Sequence, residues 1–167
     1  MAAFLLIGPS GVGKTTAADS VSKMEEQVSV YDLDDEIKVR NGGKPASELL
    51  PQIGDKCFFE LSQKLIEEIS GNESRKVLIV VGAGSINYEA AHEWYLQQNL
   101  ISLTGDPHVI YERGGRDKVP GRTIDEYIKS EYNELRQNLY KKSKYHINVA
   151  NMAQEKVAES ILEIVNR

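Results

Sequence analysis

The residues with chemistry to offer begin close to the N-terminus. "GPSGVGKTT", Gly8 to Thr16, stands between the apolar run "AAFLLI" and the helix-like "KTTAADSVSKMEE". Gly8, four residues, then Gly13, Lys14 and Thr15 is the spacing of a phosphate-binding loop. Glycines let consecutive backbone N–H groups face one anion, and the following helix adds the partial positive charge of its N-terminus. Lys14 supplies a mobile cation for the outer phosphates of a nucleoside triphosphate, and the Thr15 hydroxyl can ligate magnesium. A second cluster is "YDLDDEI", Tyr31 to Ile37. Asp32 and Asp34 there can hold magnesium through water or take a proton from a substrate hydroxyl. Helix N-capping is the alternative use of such acids, and Asp35 and Glu36 are assigned to capping or to solvent. A third stretch, "VLIVVGAGS", ends in Gly82, Ala83 and Gly84, small residues that let a ligand lie against the backbone or simply turn the chain.

These groups need a scaffold that brings them to one edge. Five short apolar runs read as strands: Ala3–Ile7, Val28–Asp32, Val77–Val81, Leu100–Leu103 and His146–Val149. They are rich in Val, Ile and Leu without alternation, as expected of strands covered on both faces. Helix-like segments separate them: Lys14–Glu26, Ala46–Ile69, Asn87–Gln98, Pro107–Glu112, Ile124–Lys142 and Ala153–Val165. In the last, Val157, Ile161, Leu162 and Val165 recur at helical spacing and should dock on the sheet. The repetition predicts a parallel sheet with helices on both faces, whose carboxyl edge collects the ligand-binding residues. "RGGRDKVPGRT", Arg113 to Thr123, holds three glycines, a proline, three arginines and a lysine. It is expected to form a mobile surface loop, either plainly solvated or a lid over the phosphates.

A chain of 167 residues with 41% apolar content suits a single domain over residues 1–167 with one real core. Its net charge of −5 argues against nucleic acid or an anionic membrane as partner. The single cysteine, Cys57, sits in "CFF" and is expected to pack in the core. The apolar start is too short for a signal peptide, and no stretch could span a bilayer, so a cytoplasmic location is expected.

Taken in order along nearly the whole chain, these segments resemble the shikimate kinases of the nucleoside-monophosphate-kinase-like P-loop group. "GPSGVGKTT" resembles that family's phosphate loop and "YDLDDEI" its two-aspartate segment. "GGKPASELLPQIGDKCFFELSQKLI" is similar to the helix pair lining the substrate site, and "GAG" sits where the family has a triple glycine. "RDKVPGR" falls at the lid, and "LRQNLYKKSKYHINV" at the segment carrying a substrate arginine. The resemblance implies a three-layer α/β/α fold with a five-stranded parallel sheet in the order 2-3-1-4-5. It implies a kinase using ATP and magnesium (Mg2+) on a hydroxyl of a small-molecule acceptor, and a monomer is expected. Gly11, Val12, Gly13, Lys14, Thr15 and Thr16 would hold the phosphates, with Thr15 on magnesium and Asp32 on its water shell. Asp34 would grip and help deprotonate the acceptor hydroxyl. Gly82, Ala83 and Gly84 would flank the ring, and Arg136 would bind the acceptor's carboxylate. Arg122 or Arg116 would reach the phosphates and Arg113 would lie near the adenine.

Two departures affect the acceptor half. Where the family has an arginine for the substrate carboxylate and a glutamate three residues later, this chain has Phe59 and Ser62. Ala83 replaces the middle glycine and crowds the place of a ring. Shikimate, through its 3-hydroxyl, is the first acceptor implied, and another small polyol or cyclic alcohol the second. A nucleotide kinase and a degenerate nucleotide-binding module are the rival readings. Phe59→Arg, with Ser62→Glu to orient it, is expected to improve the use of shikimate.

Overall fold

The computed structural model describes residues 3–167. Strands β1 (Ala3–Ile7), β2 (Val28–Asp32), β3 (Lys76–Val80), β4 (Asn99–Thr104) and β5 (Tyr145–Asn148) form one parallel sheet in the order β2-β3-β1-β4-β5. Side chains alternate across a strand, so β1 feeds two cores. Phe4 and Leu6 pack on one face with Val21 of α1 (Lys14–Met24) and Val157 and Ile161 of α9 (Gln154–Val165). Leu5 and Ile7 pack on the other with Ile37 of α2 (Leu33–Arg40) and Phe58 and Leu65 of α3 (Ala46–Asn72). The central strands β3, β1 and β4 are buried except at their ends, which is why their sequences do not alternate. β5, at an edge, does alternate.

Several expected elements differ in detail. Helix α3 is interrupted at Gly54, whose φ of 83° and ψ of 166° bend the chain inside what reads as one amphipathic run. Cys57 is exposed rather than in the core. Phe58 and Phe59 take the buried side of α3, and one step of helix carries Cys57 away from it. The segment expected as a helix over 87–98 is one 3-10 turn, Glu89–Ala91, and a short α4 (His92–Leu96), preceded by another 3-10 turn at Ala83–Ile86. The helix expected over 124–142 breaks into α7 (Ile124–Glu131) and α8 (Glu134–Lys142), because Asn133 caps α8 through Arg136 N at 2.9 Å.

The arginine-rich lid segment is also more ordered than expected. After α5 (Pro107–Ile110), the chain makes a π-helical turn, Tyr111–Gly115, and continues as α6 (Arg116–Lys118). Gly114 and Gly115 explain it: without side chains, their backbone packs directly on Gly11, and Gly115 is buried. Only residues 119–123 lack helical structure. Among the described residues, no helix is long and apolar enough to cross a membrane.

Candidate active site

β1 ends at Ile7, and the chain turns through Gly11 (φ +84°) and Gly13 (φ +101°) into α1. Both values lie in the left-handed region that glycine tolerates, and buried Val12 anchors the loop beneath them. Lys14 closes the loop on itself, its Nζ donating to Gly8 O at 2.7 Å and Pro9 O at 3.3 Å. Burial pushes the Lys14 ammonium down to about 8, against the attraction of Glu131 and Asp34. Thr15 Oγ1 reaches Asp32 Oδ2 at 3.4 Å.

Parallel pairing of β2 to β3 and of β3 to β1 brings the second cluster to the same sheet edge. The capping role falls to Asp32 rather than to Asp35: its Oδ1 accepts from Asp34 N at 3.0 Å and Asp35 N at 3.3 Å. Asp32 is nonetheless free to present Oδ2 to Thr15, so capping and ligand chemistry share one side chain. Asp34 projects from the first turn of α2, its Oδ1 buried with no hydrogen-bond partner. Burial, and then the neighbouring Asp32, push its carboxyl up to about 6. A Cβ at Gly82 would collide with this carboxylate, so the first glycine of "GAG" is needed to seat Asp34. A cleft of about 320 Å³ results, lined by Gly11, Lys14, Thr15, Asp32, Asp34 and Ala83, with Lys118 on the lid side.

The arginines divide. Arg113 is pinned to the loop before α9, donating to Val149 O at 2.5 Å, Ala150 O at 3.2 Å and Met152 O at 3.1 Å. It lines the cleft beside Gly114 and Gln154. Arg116 turns outward, pairing with Glu112 at 2.5 Å and lying over the Tyr111 ring, with most of its side chain in solvent. It does not line the cleft, whereas Lys118, two residues on, does. Arg122 folds inward over the Tyr127 ring and donates to Ser130 Oγ at 3.1 Å and Glu131 Oε1 at 3.3 Å.

Glu131 is the residue that the sequence did not single out. Buried at the end of α7, its Oε2 accepts from Ser10 N at 3.0 Å and from Arg136 Nη1 at 2.8 Å. Burial pushes its carboxyl up, but the Ser10 amide and the guanidinia of Arg136 and Arg122 outweigh this and hold it below the usual range. Tyr127 OH donates to Ser10 O at 2.7 Å, so α7 grips the phosphate loop by both backbone groups of Ser10. The signal for Glu131 was an acid at the end of a helix, just ahead of the Asn133 cap and Arg136. Nothing in its spacing tied it to a loop 121 residues away.

Arg136 also donates Nη2 to Asn87 Oδ1 at 2.7 Å. Phe59 lies apart from the cleft, in an aromatic cluster with Tyr88, Trp94 and Tyr95 at ring separations of 6.2, 5.7 and 5.6 Å. Ser62 is buried, donating to Phe58 O and sharing a hydrogen bond of 2.7 Å with Ser85 Oγ. A guanidinium placed at 59 would therefore be buried among rings without a partner, and Phe59→Arg should unfold this region rather than add an anchor.

The comparisons with known proteins agree with this architecture. A sequence model of the shikimate kinase family matches residues 10–166. No curated protein matches the sequence. Among solved structures, shikimate kinase from Bacteroides thetaiotaomicron superposes with a TM-score of 0.79 at 24% identity, covering 99% of each chain. Shikimate kinase from Acinetobacter baumannii, solved in complex with shikimate, gives 0.71 at 22% identity over 99% of this chain and 93% of that one. The tunicamycin resistance protein of Deinococcus radiodurans gives 0.69 at 20% identity over 98% and 95%. At such identities the superpositions show the fold, and it is the match over residues 10–166 that shows the family: the chain belongs to the shikimate kinases, a family of small-molecule kinases.

Proposed function

We propose that the protein transfers a phosphoryl group from ATP, with magnesium, to a hydroxyl of a small molecule seated in the cleft beside Asp34 and Ala83. Gly84 packs on Leu50 and Phe58 instead of lining the cleft. The observation that carries this reading is the meeting, in one cleft of about 320 Å³, of the phosphate loop with a buried carboxylate that has an unpartnered oxygen. A buried oxygen without a partner is costly unless a ligand completes it. A hydroxyl donor placed there would be oriented for attack and would pass its proton toward Asp34 Oδ1. Loop amides from Gly11 to Thr16 would hold the phosphates. Lys14 would exchange the Gly8 and Pro9 carbonyls for phosphate oxygens, and Lys118 would cover them from the lid. Thr15 and Asp32 fit a magnesium ion, which commonly takes one or two protein oxygens and completes its shell with water and phosphate. When bound, the ion supplies charge neutralisation across the transferring group.

Shikimate is the reference acceptor, given the family; the charge that the true acceptor carries depends on Arg136 and Glu131. The test is acceptor-dependent ADP release, measured with a coupled assay over shikimate, its uncharged analogues and small cyclic polyols. Turnover with at least one acceptor, lost by about 10³-fold or more in Lys14→Ala, is the expected result. Turnover of Lys14→Ala within tenfold of the parent would overturn the reading.

A further inference from the structure

Arg136 is the one arginine that the resemblance leaves for an acidic acceptor, and the chain already gives it a carboxylate. The break between α7 and α8 sets Glu131 beside Arg136, with Nη1 and Oε2 2.8 Å apart and side chains only 10% and 6% exposed. Asn87 takes the second terminal nitrogen at 2.7 Å. Glu131 is not free to swing aside. Its Oε2 also holds Ser10 N, in the wall of the cleft, and its Oε1 holds Arg122. An acceptor carboxylate taking the two terminal nitrogens of Arg136 must displace Glu131 and Asn87 and leave that acid buried without its partner, which is strongly unfavourable.

Asp32 and Asp34 are the acids that line the cleft, and Glu131, paired with Arg122 and Arg136, lies behind Ser10 in its wall. Among the described residues, Arg136 Nε and Arg122 Nε and Nη2 have no partner; such donors take a hydroxyl oxygen as well as an anion and do not select the acceptor's charge. Phe59, in its aromatic cluster, offers no replacement cation.

We infer that Glu131 occupies Arg136 from within the chain, in the place of a substrate carboxylate, and that the acceptor is an uncharged polyol or cyclic alcohol. The inference rests on the kinase reading for the existence of an acceptor, but its test does not depend on turnover. Shikimate and its methyl ester share a ring and differ by one charge. Their binding to the unmodified protein with magnesium and ADP, followed by calorimetry, should favour the ester by at least about tenfold. Glu131→Gln keeps the shape and an acceptor oxygen but frees the guanidinium, and should tighten shikimate by about tenfold or more while changing the ester less than about threefold. Shikimate binding better than its ester to the unmodified protein would overturn the inference, whether or not Glu131→Gln folds. So would a folded Glu131→Gln, checked by its circular dichroism, that gains nothing for shikimate. ADP release distinguishes the two failures. An unmodified protein that phosphorylates shikimate faster than the ester sinks only the inference. One that binds either compound but releases ADP with none of the acceptors sinks the kinase reading and leaves the binding comparison to decide the role of Glu131.

Discussion

Asp34→Asn should make the protein less active and more stable, and the gain should depend on pH. Asp34 carries a buried Oδ1 without a partner, beside a second carboxylate. Together these raise its carboxyl from the ordinary 3.8 to about 6, net of the attraction from Lys14. Each pH unit of such a rise corresponds to about 1.4 kcal/mol, so the ionised form opposes folding by about 3 kcal/mol at most. That is a large share of the roughly 5–15 kcal/mol that holds a domain folded. The sign follows from linkage. The folded carboxyl binds its proton more tightly than the unfolded one, so the penalty is absent below about pH 4, grows between 4 and 6, and is constant above. Asn has the same shape and no charge. In urea unfolding of the unliganded protein, Asp34→Asn should gain about 1–3 kcal/mol at pH 8 and nothing at pH 4. Phosphoryl transfer at pH 8 should fall by about 10²–10⁴, as for loss of a general base. Destabilisation at pH 8, or an equal gain at both pH values, would refute the account of Asp34 as a desolvated, ligand-seeking carboxylate.

The buried ammonium of Lys14, pushed down to about 8, predicts an alkaline limb in kcat/KM for ATP. At pH 9 about a tenth of it stays protonated, so the value should drop about tenfold, with a smaller fall in kcat because bound phosphates restore the proton; a flat profile to pH 9.5 would contradict this. Lys118→Ala, at the cleft, should cost about 10²-fold in kcat, and Arg116→Ala, paired outside with Glu112, less than about threefold; the reverse order would mean that the lid closes in another register. Gly11→Ala combines a left-handed φ with a collision against the backbone of Gly114 and Gly115, whereas Gly13→Ala has the φ and open space. Both should lose at least about 1 kcal/mol from the backbone, and Gly11→Ala several degrees more in melting temperature; equal losses would mean that the lid does not rest on the loop.

How much of this could be read in the sequence depends on how local each feature is. Strands buried on both faces announce themselves as unbroken apolar runs, so β1, β3 and β4 were legible on that ground, and the edge strands β2 and β5 through their Val and Ile and the repeated strand–helix order. The phosphate loop is nine contiguous residues, and its geometry is set by its own glycines. The lid was misread because Gly114 and Gly115 look like loop formers, when their lack of side chains is what lets a helical turn rest on Gly11. Cys57 was misread because three apolar residues in a row must, at 100° per residue, point some of their number outward. Glu131 was invisible because its partners Ser10, Arg122 and Arg136 come from three separate segments, and no pattern along the chain joins them.

The altered acceptor half reads as one coupled change rather than several independent losses. A buried guanidinium needs a counter-charge, and a buried acid needs donors. With Phe59 and Ser62 in place of an arginine and an acid, α3 has neither at these two positions, and its surface closes as an aromatic cluster joined to the "GAG" turn by the Ser62–Ser85 hydrogen bond. Glu131 supplies the counter-charge of Arg136 from α7, and in doing so ties that helix to Ser10 of the phosphate loop. Reverting Phe59 alone therefore cannot restore an acidic-acceptor site, and Glu131→Gln restores only the half of one that Arg136 supplies. Phe59→Arg buries an unpaired charge in the rings, and Glu131→Gln alone loosens the grip on Ser10 while freeing Arg136. On the inference above, the residue that sets the acceptor's charge also holds α7, and through Arg122 the end of the lid segment, against the nucleotide loop.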